Sequence, residues 1–171
     1  MDRQDRSRAT AWRAGPLLLH AAAVVTPAGA LLLLGHSGAG KSTVCGLVAE
    51  RLPTLADDLV RLTCAGQAER AWCVSDAKQS LAPSARSVPL VAVLRLYQSE
   101  VTALAPATPR ETCGYLLDAA FEVDLQRQVD SRKKRAWFAC LATVARVHPG
   151  WRLQFALGPE TASLLCEHPW A

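Results

Sequence analysis

A chain of 171 residues, half of them apolar, a fifth charged and 6% aromatic, has the length and composition of one globular α/β-type domain, which excludes a fibrous or broadly disordered protein. The net charge of +4 and the isoelectric point near 8.9 are mild. Part of the excess sits in Arg3, Arg6, Arg8 and Arg13, so an anionic ligand accounts for it as well as a nucleic acid would, and no nucleic-acid partner is expected.

Residues 1–13 are polar and basic and read as a loose tail, with 14–171 as a single domain. Leu17 to Val25 is apolar and suits a buried strand; Thr26-Pro27-Ala28-Gly29 supplies a turn, and Ala30 to Leu34 is a second strand. Basic residues followed by Pro16-Leu17-Leu18-Leu19 and Ala28-Gly29-Ala30 imitate a secretory leader. Cleavage after Ala30 would remove the strand that leads into the loop at Gly35, so a cytoplasmic protein is expected. No apolar run reaches the roughly 18 residues of a membrane span. From Lys41 to Arg51, Val44, Leu47 and Val48 recur at helical spacing until Pro53 stops the helix.

Extended pieces follow at Thr54 to Ala56 and Leu59 to Thr63, then a turn at Ala65-Gly66-Gln67 and a piece ending at Val74. Ser75 to Ser87, polar and carrying Pro83, reads as a surface loop. Leu90 to Tyr97 is a core strand and Val101 to Leu104 a weaker one. Thr108-Pro109-Arg110-Glu111 opens a helix, with Thr108 as cap, Pro109 in the first turn and Glu111 closing a capping box. Helices continue, with a break, to about Arg146; Trp151 to Leu157 is a last strand, and Gly158-Pro159-Glu160 opens a terminal helix. The six cysteines show no C-x-x-C pair and no zinc spacing, and are expected to be reduced thiols.

Three features carry chemistry. Gly35-His36-Ser37-Gly38-Ala39-Gly40-Lys41-Ser42 matches G-x-x-x-x-G-K-[ST] between an apolar strand and an amphipathic helix. Such a loop turns backbone N–H groups onto the phosphates of ATP at a helix start, Lys41 neutralises the outer phosphates, the Ser42 hydroxyl ligates Mg2+, and Thr43 completes the binding segment. Asp57-Asp58, 16 residues after Lys41, is spaced to return two carboxylates to the loop's mouth, where they could hold Mg2+ and accept the proton of an attacking hydroxyl. The third feature is His20, a lone histidine in an apolar strand; core histidines of that kind are commoner than catalytic ones. Arg95, Arg110 and Arg152 are isolated candidates for a phosphate contact. Arg132-Lys133-Lys134-Arg135 is expected to be a solvated helix face, and Trp72, Trp137 and Trp151 are expected in the core or at its rim.

His20, the loop Gly35 to Ser42 and Ala56-Asp57-Asp58, in that order, resemble the catalytic domain of the HPr kinase/phosphorylase family, above all its small stand-alone serine-kinase-like members. The resemblance runs more weakly through Pro89 to Leu94 and Trp151 to Phe155. It implies a P-loop kinase domain with a fold like that of phosphoenolpyruvate carboxykinase, a mixed sheet with flanking helices. It further implies ATP and Mg2+, one aspartate of the pair as base toward a serine hydroxyl on a peptide or small protein, and His20 assisting. Self-association is implied as well, because the full-length enzymes assemble. The Gly-rich signature segment of the bifunctional enzymes has no counterpart here, so neither phosphorylase activity nor HPr as acceptor is carried over. Two other functions fit the loop: a small-molecule kinase, although Ser75 to Ser87 has only Lys78 and Arg86 to form a lid, and an ATP-binding regulatory module without catalysis.

Overall fold

The computed structural model of the chain describes residues 16–64, 72–79, 86–124 and 131–170. Among them run eight strands and four helices: β1 (Leu17–Thr26), β2 (Gly29–Leu34), α1 (Lys41–Val48), β3 (Thr54–Ala56), β4 (Leu59–Cys64), β5 (Trp72–Asp76), β6 (Ser87–Gln98), β7 (Ala103–Ala107), α2 (Pro109–Asp124), α3 (Ser131–Val147), β8 (Gly150–Phe155) and α4 (Pro159–Glu167). The expected mixed α/β architecture is present: β2, β6 and β8 run parallel, and the remaining pairings are antiparallel.

β1 and β6 are long enough to change partner along their length. The first half of β1 pairs β4 (Leu17↔Leu62 to His20↔Leu59), and the second half pairs β2 (Ala21↔Leu34 to Thr26↔Gly29). The start of β6 pairs β5, and the rest lies between β2 and β8. Pairings therefore run in a ring through β1, β4, β5, β6 and β2, with β8 and β7 extending from β6.

Strand alternation distributes the apolar residues between two cores. Ala30, Leu32 and Leu34 of β2 join the core with α2 and α3, while Leu31 and Leu33 join the core with α1 and α4. An uninterrupted apolar run is what a strand covered on both faces requires. In β6 the alternation changes phase. Val88 and Leu90 belong to the first core, yet Ala92, Leu94 and Leu96 belong to the second and Val93 to the first. The β2–β6 register shifts at the same place, Ala30↔Leu90 being followed by Leu31↔Ala92. One extra residue here re-aims everything downstream in β6, Arg95 included.

Most element boundaries follow the sequence, and the exceptions have local causes. α1 ends at Val48 rather than Arg51, because Leu52 is buried in the second core and the Pro53 carbonyl accepts a hydrogen bond from Val25 N–H at 2.9 Å, which pulls the chain into β3. The weak strand expected at Val101 to Leu104 lies instead at Ala103–Ala107. The Thr102 hydroxyl is occupied by Ala156 N–H and Thr161. Pro106 is tolerated in this strand because β7 is an edge. Ser75 and Asp76 belong to β5 and Ser87 to β6, so both ends of the expected surface loop are strand, while its residues 80–85 lie outside the described residues. The last strand stops at Phe155, where a turn closed by Gly158 N–H on Ala156 O leads into α4. The capping box forms as expected: Thr108 N–H donates to Glu111 Oε2 at 2.8 Å, and Glu111 N–H to Thr108 Oγ1 at 3.2 Å. Trp72 is buried and Trp137 half-buried, while Trp151 packs edge-on against His168 and Trp170. Arg132, Lys134 and Arg135 are exposed on the opening turns of α3, and none of the six cysteines is in a disulfide. No helix among the described residues is long and apolar enough to cross a membrane. The tail 1–13 and the turn at 65–67 lie outside the described residues.

Gly29 closes the β1–β2 hairpin at φ +143, and a Cβ there would stand 2.5 Å from the Pro89 carbonyl oxygen. That oxygen belongs to the backbone of β6 and has little freedom to retreat. Gly29→Ala is expected to destabilise the fold by about 2 kcal/mol or more in urea unfolding. An unchanged midpoint would show that β6 does not press on the hairpin.

Candidate active site

The loop from Gly35 to Gly40 joins the end of β2 to α1, and its glycines answer three different demands. At Gly35 a Cβ would collide with the Ala39 Cβ at 2.5 Å. Gly40, at φ 94 and ψ 21, caps α1 in the left-handed region, and a Cβ would stand 2.5 Å from Cζ of Phe155. Gly38 also has positive φ, at +81, but nothing lies within 4 Å of its would-be Cβ. Two glycines let the loop pack against protein, and the third leaves its outer face open. Ala39 N–H donates to His36 O at 3.0 Å, and Gln98 Nε2, at the end of β6, donates to Gly38 O at 2.8 Å. His36 donates from Nδ1 to Ser37 O at 2.7 Å, which fixes its tautomer because a carbonyl can only accept.

No side chain caps α1 and no acidic residue occupies its first turn. The N–H groups of that turn therefore remain for an external acceptor. Ser42 and Thr43 are exposed there. Lys41 is buried, and its ammonium donates to Gly35 O at 2.7 Å and His36 O at 3.2 Å, bridging the loop from inside. Burial pushes the Lys41 pKa down and nearby Arg95 adds to this, while Glu122 and Asp58 act in the opposite direction. These four groups share one electrostatic neighbourhood.

Asp57 and Asp58 form the turn between β3 and β4, and the fold delivers them beside His20 as well as near the loop. Ala21 N–H donates to Asp58 O at 3.1 Å, which ties this turn to β1 where β1 passes from β4 to β2. His20 Nε2 then stands 3.4 Å from Asp58 Oδ1, and its Nδ1 is hydrogen-bonded to Glu122 Oε2 of α2. Lys78, in the turn after β5, reaches Asp57 Oδ1 at 3.5 Å and Asp58 Oδ2 at 3.3 Å. That contact raises the Lys78 pKa, through its hydrogen bond to Asp58 first. Both aspartates are exposed.

Of the isolated arginines, Arg95 is the one near the loop. It pairs with Leu34, the residue before Gly35, in the parallel β2–β6 register. Its side chain is only 16% exposed, and its guanidinium lies 3.8 Å from Asp118 and 5.5 Å from the centre of the Tyr115 ring. Tyr115 itself is pushed up to about 12, by burial first and by its hydrogen bond to Tyr97 next. Arg152 instead pairs with Glu111 at 3.4 Å, and Arg110 is exposed.

His20, Lys41 and Asp58 thus come together, with Asp57 beside Asp58 in the same turn. Sequence reasoning missed Glu122, Lys78 as a partner of both aspartates, Asp118 and Gln98. Tyr115, Asp118 and Glu122 are spaced i, i+3, i+7 along α2, a polar stripe next to the buried Leu116, Ala119 and Ala120. That stripe was the available signal. Among the described residues no group of three or more His, Cys, Asp or Glu side chains is gathered around one metal-sized centre. No protein-family model matches the chain, and no curated protein matches it.

The Lys41 shift carries a pH signature. Its folded pKa lies below the ordinary 10.5, so just below 10.5 the unfolded chain binds more protons, and stability rises with pH through that window. Below the window the buried ammonium is a standing cost. Lys41→Met is expected to be at least as stable as the parent protein at pH 7.5, with the difference shrinking by pH 10 in urea unfolding. A difference independent of pH would contradict this account.

Proposed function

We propose that this protein is an ATP- and Mg2+-dependent kinase that transfers the γ-phosphoryl group to a serine hydroxyl of a peptide or small protein in the cytoplasm, on a P-loop kinase fold like that of phosphoenolpyruvate carboxykinase. The observation that carries the reading is the approach of His20 and Asp58 to within 3.4 Å of each other beside Lys41. A phosphate loop alone serves many functions, but a carboxylate and an imidazole at its mouth supply a base and its support.

In this reading the N–H groups of the loop and of α1 bind the phosphates, and the Lys41 ammonium shifts from the Gly35 and His36 carbonyls onto them. The open outer face at Gly38 and the uncapped start of α1 fit such a ligand. Ser42, Asp57 and Asp58 are the hard oxygen donors that would hold Mg2+, whose charge offsets that of the phosphates when bound. Asp58 accepts the proton of the serine hydroxyl as its oxygen attacks the γ-phosphorus in line; the bond to the bridging oxygen breaks, and ADP leaves. Arg95 is the arginine best placed to steady charge on the transferred group, once released from Asp118. The exposure of both aspartates suits an acceptor as large as a peptide better than a small molecule that must be enclosed.

A second reading, ATP binding without turnover, is favoured by one contact. Lys78 already pairs with both aspartates and offsets part of their charge, as it would in a regulatory module that never uses them as a base.

With γ-labelled ATP and a library of serine peptides, Asp58→Asn is expected to lose at least about a hundredfold in transfer rate, the range of a missing general base, with ATP affinity within a few fold of the parent. Lys41→Ala should lose labelling and affinity together. Full transfer by both Asp57→Asn and Asp58→Asn would contradict the kinase reading, and ATP binding with no labelled product would favour the regulatory one.

A further inference from the structure

We infer that Glu122 is a positioning residue, which holds the His20 imidazole so that Nε2 faces Asp58; the inference rests on the kinase reading above. Glu122 stands 102 positions from His20 in the chain and on a different element, yet its Oε2 is the partner of His20 Nδ1. A carboxylate only accepts, so this bond places a proton on Nδ1 and commits the ring to one orientation; by the same rule Nε2 donates to Asp58 only when the ring carries both protons. The other nitrogen is then aimed at Asp58 Oδ1, 3.4 Å away. The His20 side chain is 24% exposed and that of Glu122 31%, so neither is locked by close packing alone. Without Glu122 the ring is free to turn about its Cβ–Cγ bond and withdraw Nε2 from Asp58.

Asp58 needs that neighbour. Its Oδ2 faces the exposed Lys78, whereas Oδ1 faces a ring anchored from the opposite side by α2. The anchoring also ties base geometry to the docking of α2 against β1, for Leu116, Ala119 and Ala120 of the same helix lie in the core with Leu19 and Ala21. Asp118 and Glu122, one turn apart, engage Arg95 and His20 respectively. One helix face thus sets two of the groups around the loop.

A merely structural tie between helix and sheet would affect stability and nothing else, so the test separates the two. Imidazole nitrogen NMR at one fixed pH should show a hydrogen-bonded proton on His20 Nδ1 in the parent protein, lost in Glu122→Ala, which removes the acceptor; a spectrum unaltered by the substitution would overturn the inference whether or not any acceptor peptide is labelled. In the transfer assay Glu122→Ala is expected to lower kcat about ten- to a hundredfold, the usual effect of removing the group that orients a functional histidine, while KM for ATP stays within about twofold. In a His20→Ala background the same substitution should cause no further loss. Fully additive losses, or a loss explained by a lower melting temperature, would overturn it. Absence of transfer in the parent protein would instead fail the kinase reading, leaving the NMR result to decide the role of Glu122.

Discussion

Two strands, β1 and β6, each belong to both halves of the sheet, and the positions where they change partner determine where the side chains of the candidate site stand. β1 leaves β4 and joins β2 between His20 and Ala21, so His20 sits at a seam, one backbone step from the hydrogen bond that ties down Asp58. β6 changes phase at the extra residue between Leu90 and Ala92, which puts Arg95 on the side of α2. Without that shift, Arg95 would face α1 and Asp118 would lack its partner. The loop lies where β2 ends, beside the C-terminal end of β6, and Gln98 of β6 fastens it. Crevices at the carboxyl ends of parallel strands are a common place for ligands to bind in α/β sheets.

Charge in this region is arranged in exchangeable pairs. The Lys41 ammonium rests on loop carbonyls, Arg95 on Asp118, Lys78 on both aspartates and His20 between Asp58 and Glu122. The pairs made by exposed side chains are weak, about 0–1 kcal/mol each, so an incoming polyphosphate can displace them at small cost. Lys41 is different, because its ammonium is buried and stabilised only by two carbonyls and more distant carboxylates. A strongly anionic ligand would offset that burial directly, which is the functional reason that the proposed ATP site would give for the cost in stability.

The strands around the loop were legible because period and punctuation agree there. The unbroken run Ala30 to Leu34 can only be a strand covered on both faces, and Gly35, Gly40 and Lys41 mark the turn into a helix. Capping by Thr108 and Glu111 was equally plain, because it depends on residues three apart. Glu122 and Lys78 were not legible. Each is an ordinary charged residue in its own segment, and its meaning comes from pairing with residues 102 and 20 or 21 positions away. The boundary of β7 was misjudged because Thr102 is spent on a contact with α4 that no local pattern reveals. Local rules therefore delimited the glycine-rich loop, while tertiary contacts decided what surrounds it.

The central claim is that the loop and Lys41 form a site for the phosphates of ATP. Isothermal titration of the parent protein and Lys41→Ala with ATP and Mg2+, at low and at moderate salt, tests it most directly. The account predicts saturable one-to-one binding by the parent protein that weakens with salt, and at least a tenfold loss of affinity in the variant, a change of about 1.4 kcal/mol or more. No binding by the parent protein, or equal binding by both, would contradict it.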